Sequence, residues 1–301
     1  MKLKGSIANS ICFVAFFAVL AFLVSPASAQ PNVYVVNGNS QFGLVNLASG
    51  SFRPIGGPTP EPQANLVWGP NGLLYTLGTV TGDLETINPK TGVTAVVGST
   101  GLSSFPTGIS TAFDLAGVNG KLYLTDFSNN LYSINASTGA ATMIGPTGMP
   151  PDRHVPFTIN PDGTMNLCDE VLNGVGGNLY ATFDSFTLDL VSGNVVSVVV
   201  PPNLWQINPS SGVATLIGPT SFGLDGGFEL NGHFYAFLTG NASQLMSVDL
   251  TNGNTVPLTN IDPAAGLIFG AAPTPEPGTF LLLGSGLAGI SCVIRRKWRK
   301  Q

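Results

Sequence analysis

Residues 120–145 read GKLYLTDFSNNLYSINASTGAATMIG, and this stretch decides the fold. It holds three short runs rich in aromatic, aliphatic and β-branched residues. Clusters of Asn, Ser and Gly separate the runs, and no apolar period of 3.6 residues is sustained across them. Short alternating runs bounded by turn residues are typical of β-strands. The stretch therefore predicts three strands joined by two turns.

The same order of strands and turns recurs along the chain. Each copy has a strand with a central Tyr, a strand that ends in Asn or Asp, and a Gly four residues after that polar residue. The side chain of the Asn or Asp can accept hydrogen bonds from backbone donors two residues further on. The Gly supplies the left-handed φ needed to enter the next strand. The five copies contain, in order, Tyr34, Asn46 and Gly50; Tyr75, Asn88 and Gly92; Tyr123, Asn135 and Gly139; Tyr180, Asn208 and Gly212; and Tyr235, Asp249 and Gly253.

A fourth strand precedes the Tyr strand in the later copies, across hairpin turns such as Asn71-Gly72 and Asn119-Gly120. Each unit is then a four-stranded antiparallel meander, and five units of 40–50 residues favour an all-β chain folded as a β-propeller of five blades. The first copy lacks its innermost strand. We expect the apolar segment 265–270, which follows the last copy, to complete the first blade and close the ring.

Two alternatives to a five-bladed ring remain open at this point. The stretch 155–200 is long enough to hide a degenerate sixth blade. The repeats are also compatible with an open β-sandwich or a solenoid. The uncharged run 195–200, Val-Val-Ser-Val-Val-Val, would need covering to avoid edge pairing, and we interpret it as an outer strand of a longer blade.

Residues 1–29 have the three parts of a signal peptide. Lys2 and Lys4 form a positive start, residues 11–24 are apolar, and Ala27-Ser28-Ala29 is a small-residue cleavage site. The pattern predicts an N-terminal signal helix that engages the Sec export machinery and a mature chain that begins at Gln30. The alternative is an N-terminal membrane anchor.

The C-terminal residues 273–301 have a different composition. Pro273, Pro275 and Pro277 favour an extended linker, because proline fixes φ and lacks a backbone donor. The uncharged run 279–294 predicts a transmembrane helix of roughly 24 Å, slightly short of a ~30 Å hydrocarbon core. A basic cluster follows and would stay in the cytoplasm. Its cations are Arg295, Arg296, Lys297, Arg299 and Lys300.

The order of Pro275-Glu276-Pro277, a short apolar span and a terminal basic cluster resembles the PEP-CTERM sorting signal of Gram-negative bacteria that make extracellular polysaccharide. The resemblance implies that a membrane transpeptidase of the exosortase type recognises the tail and processes it near the Pro-Glu-Pro motif. It also implies an intermediate anchored in the inner membrane and a product at the cell surface or in the extracellular matrix. The alternative is an ordinary tail anchor.

The repeats resemble those of many secreted bacterial propellers, including propeller bodies that carry PEP-CTERM tails. The shared residues are turn and core positions, so this resemblance implies an architecture and no active site. We therefore expect three segments: a signal peptide at 1–29, a propeller-like repeat domain at 30–272, and a sorting and anchor segment at 273–301.

Composition narrows the function of the repeat domain. Only Cys168 lies there, so no intramolecular disulfide can form. Residues 30–274 hold fifteen acidic and four basic side chains, a net charge of −11. An acidic, lysine-poor surface argues against nucleic acid and against an anionic polysaccharide bound by charge alone. We therefore expect the repeat domain to bind a surface component or a polysaccharide that the sequence does not identify.

Residues that carry chemistry are few. His154 and His233 are the only histidines, and Asp169-Glu170 beside Cys168 would raise the thiol pKa. The sequence therefore predicts no catalytic residue, no metal ligand set and no cofactor, and indicates a non-enzymatic binding or structural module.

Two functional alternatives stay open. The oxygen-rich segment 149–170, with Asp152, Asp162 and Asp169, leaves a Ca²⁺ site open, and with it a metal-dependent propeller hydrolase or lyase. A carbohydrate-binding module would use Trp68 and Trp205 as sugar platforms, although both occupy positions typical of the repeat core.

Overall fold

The structure is a computed structural model that describes residues 32–102, 112–150, 159–192, 195–221, 223–238 and 243–275. Residues Asn32–Thr274 form one compact unit. The predicted signal peptide, transmembrane run and basic cluster lie outside the described residues. Within the described ranges, no helix has the length and apolar character needed to span a bilayer.

Twenty strands of the described residues form five antiparallel sheets of four strands each, and each sheet is one blade. The strands of the first two blades, from the innermost outward, are as follows. Blade 1 holds β20 (Ile268–Pro273), β1 (Asn32–Asn37), β2 (Phe42–Asn46) and β3 (Phe52–Pro54); blade 2 holds β4 (Gln63–Trp68), β5 (Leu74–Gly78), β6 (Asp83–Ile87) and β7 (Thr94–Ser99).

The other three blades repeat this arrangement in chain order. Blade 3 holds β8 (Ala112–Val118), β9 (Lys121–Asp126), β10 (Asn130–Ile134) and β11 (Ala141–Pro146); blade 4 holds β12 (Thr164–Val175), β13 (Asn178–Asp189), β14 (Val195–Ile207) and β15 (Ala214–Pro219); blade 5 holds β16 (Leu224–Leu230), β17 (His233–Leu238), β18 (Gln244–Val248) and β19 (Thr255–Asn260).

The innermost strands contact one another in a closed ring, in the order β20, β4, β8, β12, β16 and back to β20. Five large hydrophobic clusters fill the five gaps between adjacent blades. Leu77 of blade 2, for example, packs with Leu115 and Leu124 of blade 3. The molecule is a five-bladed β-propeller, as the repeats predict, with its core between the blades.

The ring closes as predicted, because the last strand pairs with the first. β20 runs antiparallel to β1, with Val36 opposite Gly270. The position of the closing strand differs slightly from the expectation for residues 265–270. Asp262 caps a short 3₁₀ turn, Pro263–Ala265, so the strand begins three residues later and includes Pro273. Pro273 is therefore the last residue of the closing strand, whereas its sequence context predicts a place in the extended linker.

The alternative of a sixth blade is wrong. The described part of the insertion lengthens blade 4, whose strands β12, β13 and β14 have 12, 12 and 13 residues. The three inner strands of every other blade have five to seven residues. The run 195–200 lies in the third strand of this longer blade and pairs along one side with β13.

The turn chemistry matches the expectation from the repeats. In the first copy, Asn46 Oδ1 accepts hydrogen bonds from the backbone N–H groups of Ala48 (3.1 Å) and Ser49 (2.9 Å). The Gly four residues later has a positive φ in every copy. These φ values are 72° at Gly50, 70° at Gly92, 80° at Gly139, 81° at Gly212 and 83° at Gly253.

These glycines also set how closely two blades approach. A Cβ added to Gly139 of blade 3 would lie 2.2 Å from the carbonyl oxygen of Gly98, at the end of the outer strand of blade 2. The repeat glycine makes an equivalent approach at each of the other four interfaces. These approaches join Gly50 to Asn260, Gly92 to Ile55, Gly212 to Gly145 and Gly253 to Pro219. The repeat glycine is thus needed for its φ and for the contact between blades.

Two glycine-to-alanine variants separate these two requirements. Gly72 has φ +73°, but a Cβ added there meets no atom within 4 Å. Gly72→Ala should therefore cost only the left-handed strain of about 1–2 kcal/mol. Gly139→Ala adds a clash with backbone and should lower the free energy of unfolding by more than about 3 kcal/mol. Equilibrium urea unfolding measures both; equal losses in the two variants would contradict the contact role.

Candidate functional site

The ends of the strands define two faces of the ring. On one face lie the hairpin turns at Asn71-Gly72, Asn119-Gly120 and Asn231-Gly232, each of which joins the innermost strand to the next. Both chain ends of the propeller meet on this face, because the backbone N–H and the hydroxyl of Thr274 donate to the carbonyl of Asn32 at 3.2 and 2.9 Å. We call it the chain-end face. The opposite face carries the links between blades, and we call it the connection face.

Near the axis, Asp114 of β8 is buried and its carboxylate is fully used by protein donors. Oδ1 accepts from the backbone N–H of Leu115 at 2.7 Å and from the side-chain amide of Asn65, and Oδ2 accepts from the backbone N–H of Leu172. The same Asn65 amide also donates to the carbonyls of Leu115 and Leu172. The innermost strands of blades 2, 3 and 4 are therefore joined by one polar network.

The backbone of β4 is shaped to deliver Asn65 into this network. Asn65 has φ +52°, and the register between β4 and β5 shifts between Ala64 and Val67. Asn tolerates the left-handed region better than other residues with a side chain, and a bulge re-aims a side chain. The local irregularity thus turns the amide toward the neighbouring blade.

Burial raises the pKa of the Asp114 carboxyl to about 8. The three N–H donors from Leu172, Leu115 and Asn65 oppose this rise, because they stabilise the ionised form. A carboxyl whose oxygens are both held by protein donors is suited to fixing strand geometry rather than to taking up a ligand.

A second buried acid lies in blade 2. Glu85 is 4% exposed, and burial followed by the charge of Glu61 raises its pKa. The hydroxyl of Thr94 and the side chain of Gln63 act in the opposite direction. Glu61 itself accepts from the backbone N–H groups of residues 80 and 81, at 2.6 and 3.1 Å, and so holds a turn between strands.

Two small cavities open at the surface of the described residues. One, of about 200 Å³, lies on the chain-end face and is lined in part by Trp68, Asn173 and Phe228. The other, of about 250 Å³, lies on blade 4 and is lined in part by Gln206 and Thr215. Neither cavity contains a cluster of charged side chains.

The two tryptophans proposed as sugar platforms pack between blades. Trp68 lies against the cluster between blades 1 and 2, and its indole N–H donates to the carbonyl of Pro273 at 2.7 Å. Trp205 packs against the cluster between blades 3 and 4. Packing therefore accounts for both side chains.

The structure describes only part of the oxygen-rich segment 149–170. Asp152, Arg153 and His154 lie outside the described residues, and 168–170 belong to β12 without described side chains. Asp162 forms the predicted turn, where the hydroxyl and then the N–H of Thr164 hold its pKa below the ordinary value. Among the side chains that can be placed, no three His, Cys, Asp or Glu residues converge as metal ligands.

The remaining predicted positions are distributed as follows. His233 begins β17 and packs edge-on against Tyr235, with ring centroids 6.4 Å apart. Of the sorting motif, Pro275 is the last described residue, whereas Glu276 and Pro277 lie beyond it. The cleavage residues Ala27, Ala29 and Gln30 also lie outside the described ranges, so their roles stay predictions.

Sequence reasoning missed the axial pair of Asn65 and Asp114. The signal that identifies it is an alignment of the repeats. Asn65-Leu66 and Asp114-Leu115 both place a polar residue directly before a Leu in the middle of an innermost strand, with mostly apolar residues around it. A polar residue at a position buried on all sides needs a partner of its own, and the equivalent position in the neighbouring blade supplies it.

The raised pKa of Asp114 makes a pH-dependent stability testable. The unfolded carboxyl titrates near 3.9 and the folded one near 8, so the folded state binds the extra proton between these values. The free energy of unfolding should therefore fall as the pH rises, by up to about 1.4 kcal/mol per unit between roughly pH 5 and 7. Urea unfolding across this range measures the slope.

The slope should become much smaller in Asp114→Asn, which cannot ionise, and the remainder is expected from Glu85, whose pKa is also raised by burial. Asp162→Asn is the matched control, because the exposed Asp162 has a lowered pKa and is ionised throughout this range. It should keep the slope of the unmodified protein. An unchanged slope in Asp114→Asn would show that other groups are responsible.

Comparison with solved structures finds chains of low sequence identity. One, from a crystal structure of a nidogen/laminin complex, is 11% identical with a TM-score of 0.47 and covers 82% of this chain and 98% of its own. A putative 6-phosphogluconolactonase from Bacteroides fragilis is 13% identical with a TM-score of 0.38, covering 83% and 99%. Virginiamycin B lyase from Staphylococcus aureus is 14% identical with a TM-score of 0.39, covering 76% and 67%.

These identities and TM-scores are too low to carry an activity from those proteins to this one. No curated protein sequence matches the chain. A family model of the PEP-CTERM protein-sorting motif matches residues 273–297, a range that includes Pro275, Glu276, Pro277 and the first three cations of the basic cluster. The motif implies export and a membrane-anchored sorting signal. The chain thus joins a PEP-CTERM sorting motif to a five-bladed β-propeller.

Proposed function

We propose that this protein is a non-enzymatic binding or structural module of the cell surface or extracellular matrix, delivered there by an exosortase-type transpeptidase. The observation that carries the proposal is the continuity of ring and motif. The match to the sorting motif begins at Pro273, which is also the last residue of the ring-closing strand. The folded propeller is therefore complete where the sorting signal starts, and it is suited to be the cargo of that signal.

The arrangement of the chain ends supports presentation of one face. Thr274 and Asn32 are hydrogen-bonded to each other on the chain-end face. A ring joined to an anchor through Thr274 leaves the connection face as the surface remote from the attachment point. The links between blades are loops, and loops on a rigid scaffold are where binding residues concentrate.

The axial chemistry also favours a structural role. In hydrolases and lyases of the metal-dependent kind, acidic groups must be free to hold the ion. The buried acid near this axis, Asp114, instead accepts from Leu115, Leu172 and Asn65. These hydrogen bonds join the innermost strands of blades 2, 3 and 4, and this contact explains why Asp114 is buried there.

Removal of the tail tests the sorting step. A chain truncated after Pro275 keeps the bonds from Trp68 to Pro273 and from Thr274 to Asn32, so the propeller should fold normally. We expect the truncated protein to move from the membrane fraction to a soluble exported fraction, measured by immunoblotting of fractionated cells. The intact mass of the protein recovered from the native envelope would show where the tail is processed and whether a group is attached.

Glu276→Ala is the point variant for the same experiment. It changes one residue of the Pro-Glu-Pro motif and leaves the apolar run and basic cluster in place. An exosortase-type step predicts that the variant accumulates as the unprocessed, membrane-bound form. Normal processing of Glu276→Ala together with unchanged localisation of the truncated protein would contradict the sorting role.

Metal analysis of the purified propeller tests the non-enzymatic part of the proposal. A stoichiometric divalent ion that is lost on changing Asp152, Asp162 or Asp169 would contradict it and favour the metal-dependent alternative. Absence of such an ion from protein purified without chelators would agree with a binding or structural module.

A further inference from the structure

Blade 4 extends well beyond the other blades on the connection face. Its strands β12, β13 and β14 are about five to eight residues longer than their counterparts, which corresponds to roughly 20 Å of strand. The extension is apolar at its surface. Six exposed large apolar side chains of the described residues belong to it: Ile159, Leu190, Val191, Val195, Val196 and Val198.

The extension has a free strand edge. Along one side, residues 195–200 of β14 pair with β13 from Leu188 to Ser185. On the other side, β15 pairs only with the second half of β14, from Asn203 to Ile207. Within the part of the chain that the structure describes, no strand covers the outer edge of residues 195–200. The backbone donors and acceptors along that edge are open to another strand.

The free edge carries no charged side chain, and register shifts against β13 on either side leave Ser197 and Val198 as its regularly paired middle. Natural edge strands carry charges, especially Lys, or prolines that prevent another strand from adding. From residue 190 to residue 224 the chain has no Lys, Arg, Asp or Glu. Pro201 and Pro202 follow the run and lack a backbone donor, so they limit the region available for pairing to residues 195–200.

We propose that two copies of this protein associate through residues 195–200, which pair antiparallel about a two-fold axis and join two blades into one continuous sheet. An antiparallel pairing centred on Ser197 places Ser197 opposite itself and Val196 opposite Val198 of the second copy. The two Val196–Val198 pairs are β-branched on both strands, and such cross-strand pairs are favourable. A two-fold axis makes the contact self-complementary and closed.

Charge favours a second copy at this edge over a contact elsewhere on the ring. Residues 30–274 carry a net charge of −11, so two copies repel each other over most of their surface. The free edge lies in an uncharged stretch of 35 residues, and pairing there brings no like charges directly together. The extension also projects beyond the strands of the other blades, which keeps the edge accessible to a second copy.

The oligomeric state of the propeller tests this proposal. Residues 30–275 contain the entire closed ring, so they can be studied without the tail. Light scattering after size exclusion should give an apparent mass that rises with concentration toward twice that of the monomer. Hydrogen exchange should show protection of the backbone amides of residues 195–200 that increases with concentration.

Single charges at the edge should disrupt the pairing. Val196→Lys and Val198→Lys each put a cation diagonally across from its counterpart in the second copy, on the same face of the sheet, and should weaken dimerisation by at least about tenfold. Val93→Lys is the matched control, since Val93 is 65% exposed but lies in a turn of blade 2. It should leave the dimer intact. Unfolding midpoints close to that of the unmodified protein would establish that all three variants are folded.

Three results would overturn the proposal. The first is a propeller that stays monomeric at every concentration. The second is a dimer that persists in both edge variants, because its interface would then lie elsewhere. The third is a dimer lost to the same extent in Val93→Lys, which would indicate a general effect of added charge.

Discussion

The pairing of β20 with β1 is the interaction on which the remaining structure depends. It joins residues from opposite ends of the repeat array, and the loop-closure entropy that it must offset is on the order of 5 kcal/mol for about 240 residues. The closing strand offsets this cost by burying Ile268, Ala271 and Ala272 and by completing the ladder along β1. Without that strand, blade 1 would have three strands, and the clusters on both sides of it would lose a wall. The last strand before the sorting motif is therefore the one that turns an array of meanders into a ring.

A ring of blades has its core in five separate layers, and each layer needs two blades to exist. This explains why the same contacts recur at each interface: apolar side chains near the axis and a glycine turn against the preceding outer strand. Repetition has one exception near the axis. There, Asn65 and Asp114 tie three innermost strands together, while the equivalent positions of blades 5 and 1 hold Gly226 and Gly270. Those two glycines leave room for the close approach of neighbouring strands, as shown by the 2.3 Å that would separate a Cβ at Gly270 from Asn65.

The sequence predicts most of this fold because turns and strands are local. The Asn46 and Gly50 pattern requires only a few neighbouring residues to be recognised, and its repetition gives the blade count and the closing strand. What it does not give depends on contacts between distant segments. The hydrogen bond from Asn65 to Asp114 joins two blades, and the residues next to either side chain do not indicate the other as its partner. The same reason applies to blade 4: a long insertion reads equally well as a degenerate blade or as longer strands, and only the pairing of β12 with β13 decides between them. The sequence does not predict which loops form a binding surface, because binding residues on loops follow no period.

The free edge of blade 4 follows from the same geometry that closes the ring. A propeller removes the inner edges of its sheets by packing them around an axis, but it leaves every outer edge open. In blades 2 to 5 the outermost strand is irregular: the register shifts once between the third and fourth strands, which disturbs a flat edge. Residues 195–200 belong to a third strand and extend past the fourth, and their own register shifts against β13 lie on either side of Ser197 and Val198. Lengthening three strands of a blade without lengthening the fourth necessarily creates an inner strand with an outer edge. An uncharged run of valines at such a position exposes apolar side chains and unpaired backbone groups together, and a second strand added along that edge would cover both.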